Sequence, residues 1–286
     1  MHEQIKKLTP QEFPPQLLEI PQKPKQLYVR GKLPPDDAKI LCVVGSRSYS
    51  QYGKDVTEKL ISSLRGKNVA IVSGLALGID TIAHQTAIAS DLYTMALPGS
   101  GINAQALYPQ SNVQLSEKIL ESGGGIMAEF EPDQKSERWF FPQRNRIMAG
   151  LSHAVLIIEA QEKSGTLITA RLATDYNRDV LTIPHSIYSK NGQGPNMLLR
   201  LGATPITKVE DLHEALGFDV QMSLPKTERT DCSEHEKKLL DLLEEPRTRD
   251  ELIRLSKLHT SEANMYISLL EMKGYVKENF GEIRLS

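Results

Sequence analysis

From residue 36 onward, short and almost uninterrupted apolar runs recur at Ile40–Val44, Val69–Val72, Tyr93–Leu97, Gly125–Glu129, Ala154–Glu159 and Val180–Ile183. Segments of helical character lie between them, at Lys54–Leu64, Ile79–Ala89, Val113–Glu121, Arg144–Leu151 and Leu167–Asn177. Apolar strands without polar alternation, separated by helices, predict a mostly parallel sheet covered on both faces. The expectation is a doubly wound, Rossmann-like α/β domain over residues 36–217. Residues 1–35 are rich in Pro and Lys and show little periodicity, so they predict an extended lead-in, with Leu27-Tyr28-Val29 as an edge strand. After Gly217 the pattern breaks, and residues 218–232 predict a polar linker. In residues 233–286, Ser233 and Glu236 form a capping-box pair ahead of Leu239, Leu240, Leu242 and Leu243. Thr248-Arg249-Asp250 opens a second helix, and Thr260–Lys273 suits a third with Ala263, Ile267 and Leu270 on one face. Tyr275-Val276 and Ile283-Arg284-Leu285, around Asn279-Phe280-Gly281, predict two short strands. Three helices and a terminal hairpin make a small C-terminal winged-helix domain.

Composition narrows the class. The 286 residues are 40% hydrophobic and 24% charged, enough for a packed core. No apolar run reaches membrane-spanning length, and the N-terminus lacks a secretion-signal pattern, so a cytoplasmic protein is expected. Cys42 and Cys232 are far apart, and Cys42 sits in an apolar run; neither a disulfide nor a metal site is expected, nor a cofactor. The net charge of −2 gives no global attraction to nucleic acid, so any polyanion site must concentrate its cations locally.

Five segments at predicted strand ends carry candidate chemistry. Val44-Gly45-Ser46-Arg47 combines a close-approach glycine, a hydroxyl and a guanidinium fork; it suits a phosphate and equally a tight turn with a solvated arginine. Ser73-Gly74-Leu75-Ala76-Leu77-Gly78-Ile79-Asp80 places N–H groups at a helix start, with Asp80 and His84 read as capping and packing residues. It is neither a Walker loop nor a dinucleotide fingerprint. Leu97-Pro98-Gly99-Ser100-Gly101 leads to Tyr108, which suits base stacking or, more commonly, pinning of the loop. Phe140-Phe141-Pro142-Gln143-Arg144-Asn145-Arg146 interleaves aromatics with cations, as a sequence-tolerant single-strand site requires. Arg144 and Arg146 diverge on a helix, so one is open to pairing with Glu129 or Glu159. Lys163-Ser164-Gly165-Thr166 joins a cation, a glycine and two hydroxyls at a helix start, either as an anion site or with Thr166 as a plain N-cap. The convergence of these loops on one rim argues for an extended polyanion groove. No nucleophile–base pair and no metal-ligand cluster is apparent.

In order and spacing, VGSR, SGLALGID, GSGINAQALYP, FPQRNRIMAG, EAQEKSGTLITA and IPHSIYSKNGQGPNMLLRLGATPI resemble the core of the DprA/Smf DNA-processing family, from about Tyr28 to Leu216. The resemblance implies a non-enzymatic single-stranded-DNA-binding protein that protects incoming strands during natural transformation and recombination and helps load the RecA recombinase. It implies a homodimer, and a pocket built from Ser46, Arg47, Arg144, Asn145, Arg146 and Lys163–Thr166. With the other loop residues, the expected DNA-binding set is Gly45, Ser46, Arg47, Ser73, Gly74, Gly99, Phe141, Arg144, Asn145, Arg146, Lys163, Ser164, Gly165 and Thr166. Leu77, Gln110 and His185 depart from the family pattern, removing positive charge or altering a turn; weaker affinity or a rearranged groove follows from that. The N-terminal helical domain of many members is not recognisable. Residues 233–286 hold nine Lys/Arg and eleven Asp/Glu, so protein contact is expected ahead of duplex reading. Two alternatives remain. One is an enzyme resembling nucleoside-monophosphate phosphoribohydrolases, although their motif's Thr and Glu are missing here; the other is a nucleotide-sensing regulator.

Overall fold

The computed structural model describes residues 4–218, 232–243, 245–279 and 281–285. The chain forms two units, 1–220 and 221–286. In the first, the predicted strands appear as β2 (Leu27–Gly31), β3 (Lys39–Val44), β4 (Val69–Ser73), β5 (Tyr93–Ala96), β6 (Gly125–Ala128), β7 (Ala154–Ile157) and β8 (Asp179–Thr182), and two short strands that the pattern does not predict, β1 (Lys6–Leu8) and β9 (Thr204–Pro205), are added to them. They form one sheet in the order β1-β2-β6-β5-β4-β3-β7-β8-β9. β6 through β9 pair in parallel, and β1 and β2 add on antiparallel.

Helices cover both faces, as the unbroken apolar strands require. Along β3, Ile40, Cys42 and Val44 face one cluster, built with Ile147, Met148 and Leu151 of α4 (Phe140–Leu151) and Ala170 and Ala173 of α5 (Thr166–Asp175). Leu41 and Val43 face the other, built with Leu60 and Ile61 of α1 (Gln51–Ser62), Ile79 and Ala83 of α2 (Ile79–Ala89) and Leu212 of α7 (Val209–Ala215). The two-residue side-chain period of a strand thus feeds both cores. α3 (Val113–Glu121) packs over β5 and β6, and α6 (Gln193–Arg200) contributes Leu198 to the first cluster. Cys42 is fully buried, Cys232 is buried in the second unit, and they form no disulfide with each other.

The lead-in differs from expectation. Residues 1–35 are not a mere extended segment, and β2 is not an edge strand, because β1 covers it. Two short 3₁₀ turns, Pro10–Glu12 and Pro15–Leu18, insert Phe13, Leu17 and Ile20 into the first core cluster. Their close seat on α4 requires Gly150, where an added Cβ would lie 2.8 Å from Ile20. Proline supplies the fixed φ of each turn but masks any apolar period, which is why the contribution is silent in the pattern.

The second unit contains α8 (Glu234–Asp241), α9 (Arg249–Ser256) and α10 (Thr260–Met272), with strands β10 (Arg247–Thr248), β11 (Val276–Asn279) and β12 (Glu282–Leu285) in the order β10-β12-β11. The Ser233–Glu236 capping box forms, with the Ser233 N–H donating to the Glu236 carboxylate at 2.7 Å and Glu236 N–H to Ser233 Oγ at 3.3 Å. Thr248 and Glu251 repeat it for α9. Leu239, Leu252, Ile267, Leu270 and Ile283 close a separate core. Phe280 and most of the expected linker, 219–231, lie outside the described residues. Among those described, no helix is long and apolar enough to cross a membrane.

Leu17→Ala should destabilise the first unit by about 2–5 kcal/mol, the range for truncating a fully buried leucine. Urea denaturation followed by the fluorescence of Trp139 measures this; a shift within ~0.5 kcal/mol, as for a surface residue, would mean that the lead-in is not part of the core.

Candidate nucleic-acid interface

β3 is the point where chain direction across the sheet reverses. β4, β5 and β6 follow on one side of it, β7, β8 and β9 on the other. Loops leaving the carboxyl ends of β3 and β7 therefore part, and such a divergence is where open α/β sheets take ligands. A crevice of about 390 Å³ opens there, lined by Gly45, Ser46, Arg47 and Ser48 from the β3 loop, Phe141, Arg144 and Asn145 from α4, and Gln161 and Lys163–Thr166 from the β7 loop.

Each wall has a local cause. Ser46 Oγ accepts the Ser48 N–H at 3.1 Å and donates to Ser48 O at 2.9 Å, folding the β3 loop back on itself. That leaves Arg47 exposed, its guanidinium 5.5 Å from the centre of the Phe141 ring. Thr166 Oγ1 donates to Gly45 O at 3.3 Å, and Asn145 Nδ2 to Gly165 O at 3.4 Å, so α5 is tied to both neighbours. The positive end of the α5 dipole opens into the crevice. Its N–H groups are less available than the motif suggests: Ser164 N–H donates to Gln161 O, and Thr166 N–H to Ser164 Oγ at 3.2 Å. Thr166 is thus the first residue of the helix, not its cap; the N-cap position falls to Gly165.

Beneath these residues lies a buried charge arrangement. Asp80 is 5% exposed and Arg144 7%. One Asp80 oxygen accepts the N–H groups of Gly74 at 3.0 Å and Ala76 at 3.4 Å. Arg144 donates to Leu97 O at 2.9 Å and lies against Gly74, where an added Cβ would come within 1.5 Å of its guanidinium. Burial pushes the Asp80 carboxyl up and the Arg144 guanidinium down, and the charge of each pulls the other back. The N–H groups expected to bind an anion at the β4 loop are therefore occupied by Asp80, which reaches back into the loop rather than capping its own helix.

Of the fourteen expected residues, Gly45, Ser46, Arg47, Phe141, Arg144, Asn145, Lys163, Ser164, Gly165 and Thr166 line the crevice. Gly74 lines a smaller recess beside it, with Leu77, Tyr108 and Pro109. Three others do not fit the expectation. Ser73 is fully buried and its hydroxyl donates to Val43 O at 2.7 Å. Gly99 is buried against the Phe141 ring. Arg146 points away from Arg144, 100° per residue around the helix, and holds both oxygens of Glu129 at 2.7 and 2.6 Å. Glu159 pairs with no arginine among the described residues; it is fully buried and accepts the Ser50 N–H at 3.0 Å, the Ser50 hydroxyl and Asn191 Nδ2 at 3.1 Å. The two aromatics of α4 divide: Phe140 stacks on Phe130 in the core, and Phe141 meets Tyr108 edge-on. His84 is fully buried, with Nδ1 2.8 Å from Thr94 Oγ1, and desolvation lowers its pKa to about 3. Ser48, Gln161 and Thr169 line the crevice but were not among the fourteen, although Gln161 and Thr169 lie within the EAQEKSGTLITA segment. Where the chain departs from the family pattern, Gln110 donates to Leu107 O at 2.8 Å and braces its loop, Leu77 is half-exposed, and His185 sits with Nε2 2.8 Å from Ile158 O.

Residues 4–217 match the family described as DNA recombination-mediator protein A. Protein Smf of Escherichia coli is 38% identical over 206 residues, which cover 72% of this chain and 54% of that protein. DNA processing protein DprA of Streptococcus pneumoniae is 38% identical over 200 residues, 70% of each chain. This chain therefore spans about half the length of the first relative and more of the second. A solved structure of the S. pneumoniae protein superimposes with a TM-score of 0.69 at 33% identity, over 77% of this chain and 76% of that one. DNA processing protein A of Helicobacter pylori, solved for its single-stranded DNA binding mode, gives 0.68 at 30% identity, over 75% of this chain and 96% of that one. With the family's sequence pattern and fold both running through β1 to α7 and the crevice they enclose, the chain belongs to the DNA recombination-mediator protein A (DprA/Smf) family.

Proposed function

We propose that the crevice at the β3/β7 divergence binds single-stranded DNA with little regard to sequence. The observation that carries this reading is the meeting of Arg47, Lys163 and the buried Arg144 with the Phe141 ring in one opening. Cations that track phosphates beside an aromatic on which bases stack are what strand binding without sequence readout requires. The binding mode for which the H. pylori relative was solved supports the same ligand class. A net charge of −2 is no obstacle, because the groove concentrates its cations locally.

On this reading the protein is a binding protein rather than an enzyme. In the cytoplasm, as a homodimer, it protects incoming strands and hands them to the RecA recombinase during transformation and recombination. The family's description as a recombination mediator supports that role. Residues 233–286 are read as a winged-helix module that contacts protein rather than duplex DNA. Supporting this are its net charge of −2 and the side chains of Met265, Leu269 and Met272, which stay exposed on α10.

Fluorescence anisotropy with a labelled oligothymidylate at several salt concentrations tests the groove. Binding should weaken as salt rises, and Arg47→Ala should reduce the slope of log K against log salt by about 0.7, the contribution of one single-strand phosphate. No single-strand binding at low salt would overturn the reading. Arg146→Gln should lower thermal stability by leaving Glu129 without its partner, yet keep the wild-type salt slope; a slope reduced as far as in Arg47→Ala would place Arg146 in the groove.

A further inference from the structure

Beside the crevice, on the far side from Phe141, the loop after β8 presents two large side chains almost entirely to water. Ile187 is 82% exposed and Tyr188 91%. The loop is well pinned. Asn196 clamps the His185 backbone from both sides, accepting its N–H at 3.1 Å and donating to its carbonyl at 3.0 Å. Ser186 O accepts the Ser189 N–H at 3.0 Å, and Ser189 Oγ accepts the Gly192 N–H at 3.2 Å. Tyr52 donates to Pro184 O at 3.1 Å and sets its ring edge-on to His185. A loop held this firmly keeps the exposed Tyr188 ring at a fixed place, and what gives that ring meaning is where the loop sits.

Asn191, at the loop's end, donates to Ser48 O at 2.8 Å, and its side-chain oxygen accepts from Gln161 at 3.4 Å. Ser48 and Gln161 both line the crevice, so the loop abuts its rim. Lys190, also exposed, puts a cation two residues from Tyr188. Tyr49, in the loop just before α1, and Tyr52, in its first turn, are 44% and 47% exposed. The carboxyl edge of the sheet thus carries aromatics and a cation on both sides of the crevice: Tyr108, Phe141 and Arg47 over β5 to β3, and Tyr188 and Lys190 beyond β7. The span from β5 to β8 is four strand spacings, roughly 19 Å, along which a single strand can lie across the strand ends.

We infer that the Ser186–Asn191 loop is an outlying subsite for single-stranded nucleic acid, in which a base leaving the crevice stacks on Tyr188 and its phosphate meets Lys190. This rests on the crevice itself being the strand's main site. The subsite makes affinity depend on length: a strand too short to leave the crevice does not reach it, and a longer one gains a stacked base.

The test is anisotropy on the full chain with labelled oligothymidylates of increasing length, for wild type, Tyr188→Ala, Tyr188→Phe and Arg47→Ala. Losing a stacked aromatic weakens binding roughly five- to a hundred-fold. Tyr188→Ala should weaken long oligonucleotides by about tenfold, leave the shortest binders unchanged, and be rescued by Tyr188→Phe, which keeps the ring. Equal affinity of wild type and Tyr188→Ala at every length, while Arg47→Ala still weakens binding, overturns the subsite and spares the crevice. Loss of binding in none of the variants, or no binding by wild type, overturns the crevice reading with it. A Tyr188→Ala variant that changes sedimentation but not oligonucleotide affinity assigns the ring to protein contact and also overturns the subsite.

Discussion

The site depends on one buried carboxylate. Asp80 sits at the first turn of α2 but spends an oxygen on the N–H groups of Gly74 and Ala76, in the loop that leads into that turn. A carboxylate without water costs free energy unless its charge and lone pairs are met. Here two backbone donors and the Arg144 charge meet them. The arrangement fixes three things together: the path of the β4 loop, the flat approach of Arg144 over Gly74, and the location of a cation at the floor of the crevice. A side chain at position 74 would overlap the guanidinium, so the glycine serves close approach rather than an unusual backbone angle.

Everything above that floor is arranged by divergence. Because β3 has β4 on one side and β7 on the other, the loops that follow β3 and β7 lean apart, and the space between them needs no special cavity in the core. The cations at its mouth differ in kind. Arg47 and Lys163 are exposed and free to follow a flexible ligand, whereas Arg144 is held in place. On the proposed reading, the fixed charge would give a bound strand its register and the exposed ones would adapt to it. Phe141 joins them by lying near the Arg47 guanidinium and edge-on to Tyr108, which gives the opening an apolar wall among its charges.

The middle of the sheet, β3 to β8, was legible because its strands are nearly unbroken apolar runs, and α2 and α3 begin and end where their periodicity does; β1 and β9, too short and polar to show a pattern, were not. The β3 and β7 loops drew notice as well, since each sets a glycine, a hydroxyl and a cation at a strand end, and the structure brings both to the crevice. What was not legible depends on distant partners. Phe140 and Phe141 are adjacent and chemically identical, yet one stacks on Phe130 and the other faces the crevice; only the phase of α4 decides that. That one of Arg144 and Arg146 would turn to Glu129 or Glu159 was readable from their divergence on a helix; that it is Arg146, and that it takes Glu129, depends on the packed fold. The N–H groups of the β4 loop looked open until Asp80 turned back into them. The prolines of the lead-in hid Leu17 and Ile20 from any period, although both lie deep in the core.

The most direct measurement of the central claim is where a bound strand touches the protein. An oligothymidylate carrying a photoreactive 5-iodouracil, crosslinked to the full chain and digested with trypsin, locates the contact by mass spectrometry. The account predicts an adduct on the peptide spanning residues 139–144, which contains Phe141, lost when excess unlabelled strand competes. Adducts confined to residues 233–286, with none around the crevice, would contradict it.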